Sequence, residues 1–408
     1  MRQIDTVGVG SLPTGLSPGI PGIPAGCRTR LTEHDRLQWW CADGGDPARL
    51  LEDFLAGHGL PVRDLARPAA PHPDVPRPGT VCGAGVFVSA AAGATMVRGA
   101  VGPPSPAPAV PDLVAVVYRH TTPSTSQPGD PDTWPAAPTG WRLGPWQPSW
   151  TGQAHAAAVE QARAAIGRGD IYQVNVVGHA AARYDGNPGP ALARVARLPG
   201  ARYGGVLTGP GWAIGCASPE TLVEATAGRV TTRPIKGTRP ATDDGRRDML
   251  TSAKERAEHI MIVDLERNDL ARVARTGSVH VDDLYTLRRW SGLWQAESTV
   301  SAQLADGCGL ADLLRAVCPG GSVTGAPKLA ALAEIAALEP VGRGAAMGGF
   351  GWIDANGVDL GLTIRTVAVD ADRVHVWAGG GITWDSDPHA EVAEAAAKAG
   401  PVRAALAG

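Results

Sequence analysis

The stretch Arg373-Val374-His375-Val376-Trp377-Ala378-Gly379-Gly380-Gly381-Ile382 decides how the fold is read. Residues 373–378 carry the β-branched and aromatic side chains of a strand, and they follow a short turn rather than a crossover helix. Strands joined in this way run antiparallel, so the pattern predicts an α+β fold with a large antiparallel sheet and helices on its outer side. The three glycines lack Cβ atoms and would let backbone N–H groups converge on an anion, although a tight turn would need the same residues.

Outward from this stretch, helical patterns fall at 154–168, 243–265, 312–317, 327–338 and 389–399, between short Val- and Gly-rich strands. Nearer the start the pattern weakens to an amphipathic segment at 47–55 and an apolar run at 85–92 that reads as a strand. Between Gly102 and Pro148 twelve prolines surround the strand-like run 113–118, the mark of irregular surface connections. A boundary near 150 divides an N-terminal part, 1–150, from a chemistry-bearing part, 151–408.

Composition removes several function classes. The 408 residues carry 37 Lys plus Arg against 40 Asp plus Glu, a formal charge of -3, so there is no basic field for nucleic acid or an anionic membrane. Met1 to Pro24 is broken by Gly and Pro, and no run of 18 apolar residues occurs, so neither a leader nor a membrane span is expected and a cytoplasmic enzyme is the default. Cys27, Cys41, Cys82, Cys216, Cys308 and Cys318 form no Cys-x-x-Cys pair and no regular spacing. Neither a zinc site nor a disulfide framework is expected of them, and they read as reduced thiols.

Four constellations could carry chemistry. Glu255 and Glu258 lie at i and i+3 on one predicted helix, and Glu391 and Glu394 repeat the spacing on another. Such pairs also describe solvated helix faces, but the apolar run after Glu258 and the alanines around Glu394 predict buried acids that need a cation, and Mg2+ suits them better than calcium. Gly320-Gly321-Ser322-Val323-Thr324-Gly325-Ala326-Pro327-Lys328 runs into a helix N-terminus with Pro327 in its first turn, a place for a small carboxylate. It lacks the P-loop spacing. Arg365, in a strand-like run, could grip a carboxylate with its planar fork or simply line an edge strand. Lys236, between Ile235 and Gly237, is one of only four lysines beside 33 arginines. It is an ordinary surface lysine after a proline turn, or an amine kept because Arg cannot deprotonate and attack. Glu220, in Ser218-Pro219-Glu220, stands at a turn as a candidate general acid.

Taken in order, Gly169-Asp170-Ile171-Tyr172-Gln173-Val174-Asn175, Ser218-Pro219-Glu220, Arg233-Pro234-Ile235-Lys236-Gly237-Thr238, Ala257-Glu258-His259, Val263-Asp264-Leu265-Glu266-Arg267-Asn268-Asp269, the 320–328 segment, Thr363-Ile364-Arg365-Thr366 and Ala378-Gly379-Gly380-Gly381-Ile382 resemble the chorismate-utilising enzymes. The resemblance is strong over about 150–400 and loose before it. It implies two large antiparallel sheets packed together with helices outside, and a magnesium-dependent reaction of chorismate.

The resemblance also sorts branches. Isochorismate and salicylate synthases carry a water-activating Lys where this chain has Gln173, and glutamine cannot deprotonate water. Anthranilate synthase large subunits typically show Pro-Ile-Ala-Gly-Thr where this chain has Lys236, a lysine that resembles the branch forming 4-amino-4-deoxychorismate for 4-aminobenzoate and folate. The resemblance implies Lys236 as nucleophile, Glu220 as acid, Glu258 and Glu394 as magnesium ligands supported by Glu255 and Glu391, and Arg365 with Gly379, Gly380 and Gly381 on a carboxylate. Gln173, Thr238, Thr324, Gly325 and Lys328 would complete the substrate pocket. Many relatives carry His at the position of Gln295, so either Glu297 compensates, the histidine serves orientation only, or catalysis is impaired. No cysteine has Gly two residues before it, so the chain lacks an amidotransferase elbow and a separate glutamine amidotransferase subunit is implied. An anthranilate synthase large subunit with an atypical lysine, and an inactive chorismate-binding regulatory subunit, are the competing readings.

Overall fold

The structure, a computed structural model, describes Cys27 and residues 31–67, 77–121, 140–290 and 293–408. The expectation for Met1 to Pro24, and residues 122–139 of the proline-rich stretch, lie outside these. All strand pairs are antiparallel and they build two sheets. A ten-stranded sheet has the order Leu31–Trp39, Leu113–His120, Val81–Val88, Gly349–Asp354, Gly357–Leu362, Thr221–Thr226, Arg229–Arg233, Leu293–Gln303 and Ile235–Pro240, with His280–Trp290 also pairing with Leu293–Gln303. An eight-stranded sheet has the order Gly325–Ala326, Gln173–Asp185, Arg373–Ile382, Thr366–Asp370, Trp212–Ser218 and Tyr203–Gly209, with two short strands alongside Gln173–Asp185.

One continuous core joins the sheets. Val86, Phe87, Val114, Phe350 and Leu360 of the larger sheet belong to the same buried cluster as Val177, Leu207, Ile214 and Trp377 of the smaller one. Helices cover the outside: Gly189–Ala196 and Pro388–Ala407 pack on the smaller sheet, and Pro47–Gly57 contacts Leu310–Val317 near the larger. The predicted two-sheet architecture is therefore the observed one. Residues before 150 pair with residues after 348, as in Val86 opposite Gly351, so the two parts share a sheet as well as a core.

Local chemistry explains where the helix and strand expectations needed correction. The apolar run at 85–92 divides at Ser89, whose hydroxyl accepts from Ala92 N–H and starts the helix Ala90–Met96. The pattern at 243–265 is two helices, Asp243–Thr251 and Ala253–Ala271. Ser252 leaves the helical conformation with ψ 105° and caps the second helix by accepting from Glu255 N–H at 3.2 Å. The last helix extends over Pro388–Ala407, beginning behind Asp387 as its cap. Gly379, Gly380 and Gly381 do not form a turn. The strand Arg373–Ile382 runs through them, opposite Val177, Val176 and Asn175. No helix among the described residues is long and apolar enough to cross a membrane.

A buried ion pair holds the functional end together. The Arg343 guanidinium donates to Glu339 at 2.9 and 2.6 Å, to Val323 O at 2.6 Å and to Asn175 O at 2.8 Å, while Glu339 accepts from Val177 N–H at 3.0 Å. Helix end, glycine-rich loop and central strand are thereby tied to one cation. Removing one partner of such a pair strands the other charge in the interior, so Arg343→Ala should cost about 3–5 kcal/mol. Arg343→Met with Glu339→Leu should cost less than Arg343→Ala alone. Urea denaturation of both variants checks this, and a double variant weaker than the single one would refute it.

Candidate active site

The chain passes between the two sheets at two corners that bond to each other. Trp212–Ser218 of the smaller sheet leads through Pro219 and Glu220 into Thr221–Thr226 of the larger. Gly357–Leu362 of the larger leads through Thr363, Ile364 and Arg365 into Thr366–Asp370 of the smaller. Leu362 N–H donates to Glu220 O at 3.0 Å and Ala217 N–H to Arg365 O at 3.2 Å, so the two corners fix one another. Arg365 is thus a corner residue with φ +52°, not a residue inside a strand. It is partly buried, and desolvation with no offsetting carboxylate lowers the pKa of its guanidinium.

Lys236 lies on the neighbouring strand Ile235–Pro240. Gly237, at φ +68°, makes a register shift against Leu293–Gln303 between Lys236 and Thr238, and a bulge of this kind re-aims the side chain beside it. Lys236 Nζ donates to Ser322 O at 3.4 Å. The Ser322 hydroxyl donates to Glu220 Oε1 at 2.8 Å, and Ile235 N–H reaches the same oxygen at 3.4 Å. Amine and carboxyl therefore share one loop residue. Desolvation pushes the two apart from their ordinary ionisation. It lowers the pKa of Lys236, aided by the Lys398 charge and opposed by Glu220, Glu258 and Glu394, and it raises the pKa of Glu220 against the pull of Lys236 and Ser322. Both shifts run toward the uncharged forms, the forms in which an amine can attack and an acid can donate a proton.

Two of the helix glutamates, Glu391 and Glu394, lie against the glycine strand, while Glu255 stands at the Gly237 bulge, where a Cβ built on Gly237 would be 3.0 Å from its Oε2. A Cβ built on Gly380 would stand 2.9 Å from Glu391 Oε2, 3.7 Å from Lys398 Nζ and 3.8 Å from Glu394 Oε1. One built on Gly381 would stand 2.4 Å from Gln173 Nε2 and 3.6 Å from Lys236 Nζ. Successive strand residues face opposite ways, so Glu391 and Glu394 flank Gly380 from one face of the strand while Gln173 and Lys236 flank Gly381 from the other. Its pairing with Thr366–Asp370 ends at Val376, which leaves the second edge of 377–382 without a partner strand among the described residues. Thr383, just beyond, donates to Glu258 at 3.5 Å.

The expectation that these acids are deeply buried is not met. Glu394 is exposed and bridges Lys398 at 2.6 Å, Glu255 pairs with Arg239 at 3.1 Å, and Glu391 accepts from Ser386 at 2.7 Å. Alanines around Glu394 reflect helix propensity here rather than burial. Among the described residues, no three of these carboxylates bring oxygens within 4.8 Å of one another. The donor set still fits magnesium, which needs only one or two protein carboxylates beside water and an anionic substrate.

Other expected pocket residues divide. Gln173 and Gln295 are buried with Oε1 atoms that accept no hydrogen bond, and Gln173 lies at the site. Glu297 is bound to Arg288 at 3.4 Å. Thr238 is exposed beside the bulge. The Thr324 hydroxyl is spent on Gly320 O at 2.8 Å, and Gly325, φ +146°, has no room for a Cβ, which would lie 2.1 Å from Gln173 O. Lys328 does not reach the pocket: its amine is buried against Asp269 Oδ2 at 2.7 Å and Ala316 O at 3.3 Å. Pro327 is the cap of that helix and Lys328 its first residue. Sequence reading passed over Ser322 and Lys398. Lys398 donates to Gly379 O at 3.1 Å. The scarcity of lysine that singled out Lys236 pointed equally to Lys398, four residues after Glu394.

Residues 115–404 match the family described as chorismate binding enzyme. Aminodeoxychorismate synthase component 1 of Salmonella typhimurium is 40% identical over 256 residues, 61% of this chain and 56% of that protein. Anthranilate synthase component 1 of Streptomyces coelicolor is 45% identical over 185 residues, 44% of this chain and 36% of that protein. The matched part of the chain thus spans little more than half the length of the first relative and about a third of the second. The crystal structure of anthranilate synthase component I from Streptococcus pneumoniae superposes with a TM-score of 0.74 at 25% identity, covering 98% of this chain and 95% of that one. With the ordered motifs, the paired corners and a family match over most of its length, the chain belongs to the chorismate binding enzyme family.

Proposed function

We propose that the chain aminates chorismate to 4-amino-4-deoxychorismate, as component I of an aminodeoxychorismate synthase serving 4-aminobenzoate and folate formation. The observation that carries this reading is Lys236, a desolvated amine sharing Ser322 with the desolvated acid Glu220. In the proposed reaction Nζ bonds to ring C2, the double bonds shift, and the C4–O bond breaks as Glu220 gives its proton to the departing hydroxyl, which leaves as water. Ammonia then bonds to C4 and the C2–N bond breaks, returning the Lys236 electron pair. The enolpyruvyl group stays on the ring, so no pyruvate forms.

Around this pair Arg365 supplies an unmatched cation for one carboxylate, beside the open edge of the glycine strand. Glu258 and Glu394 would hold magnesium, with Glu255 and Glu391 behind them. When bound, that ion supplies positive charge to a ring carboxylate. Lys398, at 2.6 Å from Glu394, is the resident cation beside that set and keeps Glu394 aimed toward Gly379 and Gly380. A glutamine amidotransferase partner would deliver ammonia, since the sequence has no cysteine elbow of its own. Anthranilate formation is the second reading, supported by the Streptomyces coelicolor and Streptococcus pneumoniae relatives.

Product identification by mass spectrometry, with chorismate, Mg2+ and an ammonium salt, separates them. 4-Amino-4-deoxychorismate without pyruvate is expected, and stoichiometric pyruvate with anthranilate would refute the reading. Lys236→Ala should lose this product while binding chorismate as before, and Glu220→Gln should lower turnover about 10²–10⁴-fold. Wild-type rates in Lys236→Ala would remove the lysine from the mechanism.

Glu258→Gln and Glu394→Gln should each raise the Mg2+ concentration for half-maximal turnover, because each deletes a charge from a hard-cation site. A Mg2+ titration unchanged in both would return the glutamates to solvated helix faces. At fixed pH, glutamine should support turnover only with an added amidotransferase, whereas ammonium should do so without it. Glutamine use by the chain alone at the ammonium rate would contradict the partner assignment.

A further inference from the structure

Three soft ligands meet far from the glutamates. Cys27, Cys82 and His120, widely spaced in sequence, bring two Sγ atoms and a ring nitrogen within 4.8 Å of one another. All three residues are buried, at 3%, 1% and 3% exposure. No disulfide joins the cysteines.

The fold builds this meeting point from the ends of adjacent strands. His120 closes Leu113–His120, where its N–H donates to Thr80 O at 3.0 Å and its carbonyl accepts from Gly79 at 2.7 Å. Cys82 lies on the next strand at the register shift between Val81 and Gly83, a bulge that turns its side chain out of the regular alternation. On the strand beyond, Asp354 pairs with Gly83, is buried, and carries a charge close enough to act on both thiols. Its carboxylate accepts from Asn356 N–H at 2.7 Å and from Trp352 Nε1–H at 3.3 Å, which hold it in place. Cys27 comes from the chain ahead of Leu31–Trp39, the strand that pairs with the His120 strand.

We propose that Cys27, Cys82 and His120 supply three ligands of a zinc site, with water in the fourth position and the Asp354 carboxylate beside the set. Two thiolates and an imidazole match the S and N donors of zinc, while magnesium, which takes oxygen ligands, has no claim on this set. On binding, the two thiols release their protons to solvent and the imidazole stays neutral, with no change of oxidation state. Five strands of the larger sheet separate the Cys82 strand from the Lys236 strand, so the metal takes no part in the chemistry of chorismate. Its work is to fasten the segment bearing Cys27 to the ends of three adjacent strands, and the free energy of binding becomes stability of that corner. Regular spacing could not have revealed it, because the ligands are gathered by sheet register and not by one local turn.

The test uses the full chain prepared without a histidine tag. Elemental analysis should find about one zinc per chain after dialysis against a weak chelator. Stripping the zinc should lower the melting temperature, and adding it back should restore it. Zinc should shield Cys27 and Cys82 from alkylation, mapped on the unaltered chain by peptide mass spectrometry, while other accessible thiols react at the same rate with or without it. Cobalt in place of zinc should give the intense thiolate bands of a tetrahedral site, lost in Cys82→Ser and His120→Ala. Absence of zinc with no uptake by the stripped chain would overturn the proposal. So would zinc retained by both variants, or a Cys27–Cys82 disulfide in protein isolated without reductant.

Discussion

Everything at the functional end of this protein hangs on the buried pair of Arg343 and Glu339. The guanidinium fixes Val323 O, one residue from Ser322, which both accepts from Lys236 and donates to Glu220. It also fixes Asn175 O, while Glu339 takes Val177 N–H, and these are the residues opposite Gly381 and Gly379. One cation thus sets the height of the catalytic loop and the position of the strand beneath it. An ion pair with so many partners is tolerable in the interior because nearly every polar atom it brings is answered.

That rigidity serves an electrostatic end. Lys236 and Glu220 would form an ion pair in a looser site, which would spoil both as reactants. Enclosure by two sheets disfavours charge on each, lowering the pKa of the amine and raising that of the acid. Further back, burial beside Asp269 pushes Glu266 up to about 8, so that wall adds less negative charge than its sequence suggests. Glu391 and Glu394 flank Gly380 on the other face of the glycine strand from Gln173 and Lys236, with lower burial and a cation beside Glu394 in Lys398.

How far the sequence could be read follows from the range of the forces involved. Antiparallel strands and helix positions were legible because short turns and local periodicity are local signals, and Lys236 and Glu220, singled out by scarcity and a turn, do meet at Ser322. The split at Ser252 was hidden by continuous helical periodicity, since one capping hydroxyl interrupts two helices without breaking their polar pattern. Gly379 to Gly381 suggested a turn because glycine is expected where φ is positive. Here they are extended, and a Cβ has no room on any of them: the Val176 backbone fills the space at Gly379, and the Glu391 and Gln173 side chains fill it at Gly380 and Gly381. Arg365 and Lys328 show the same limit in opposite senses. Which sheet a residue joins, and whether an acid such as Asp269 waits for it inside, are facts of tertiary packing.

The distribution of lysine carries the last step. Arginine supplies almost every surface cation and also the large planar clamp at Glu339, where several oxygens must be met at once. The three lysines whose amines are described all do what a planar fork cannot. Lys328 fits a compact ammonium into a buried gap between Asp269 and Ala316, Lys398 joins Glu394 to Gly379 O, and Lys236 is an amine whose pKa desolvation lowers. A composition that nearly abandons lysine therefore marks, by what it keeps, the positions where a point charge or a free amine is indispensable. One of these is structural, one holds Glu394 beside the glycine strand, and one is the amine on which the proposed amination rests.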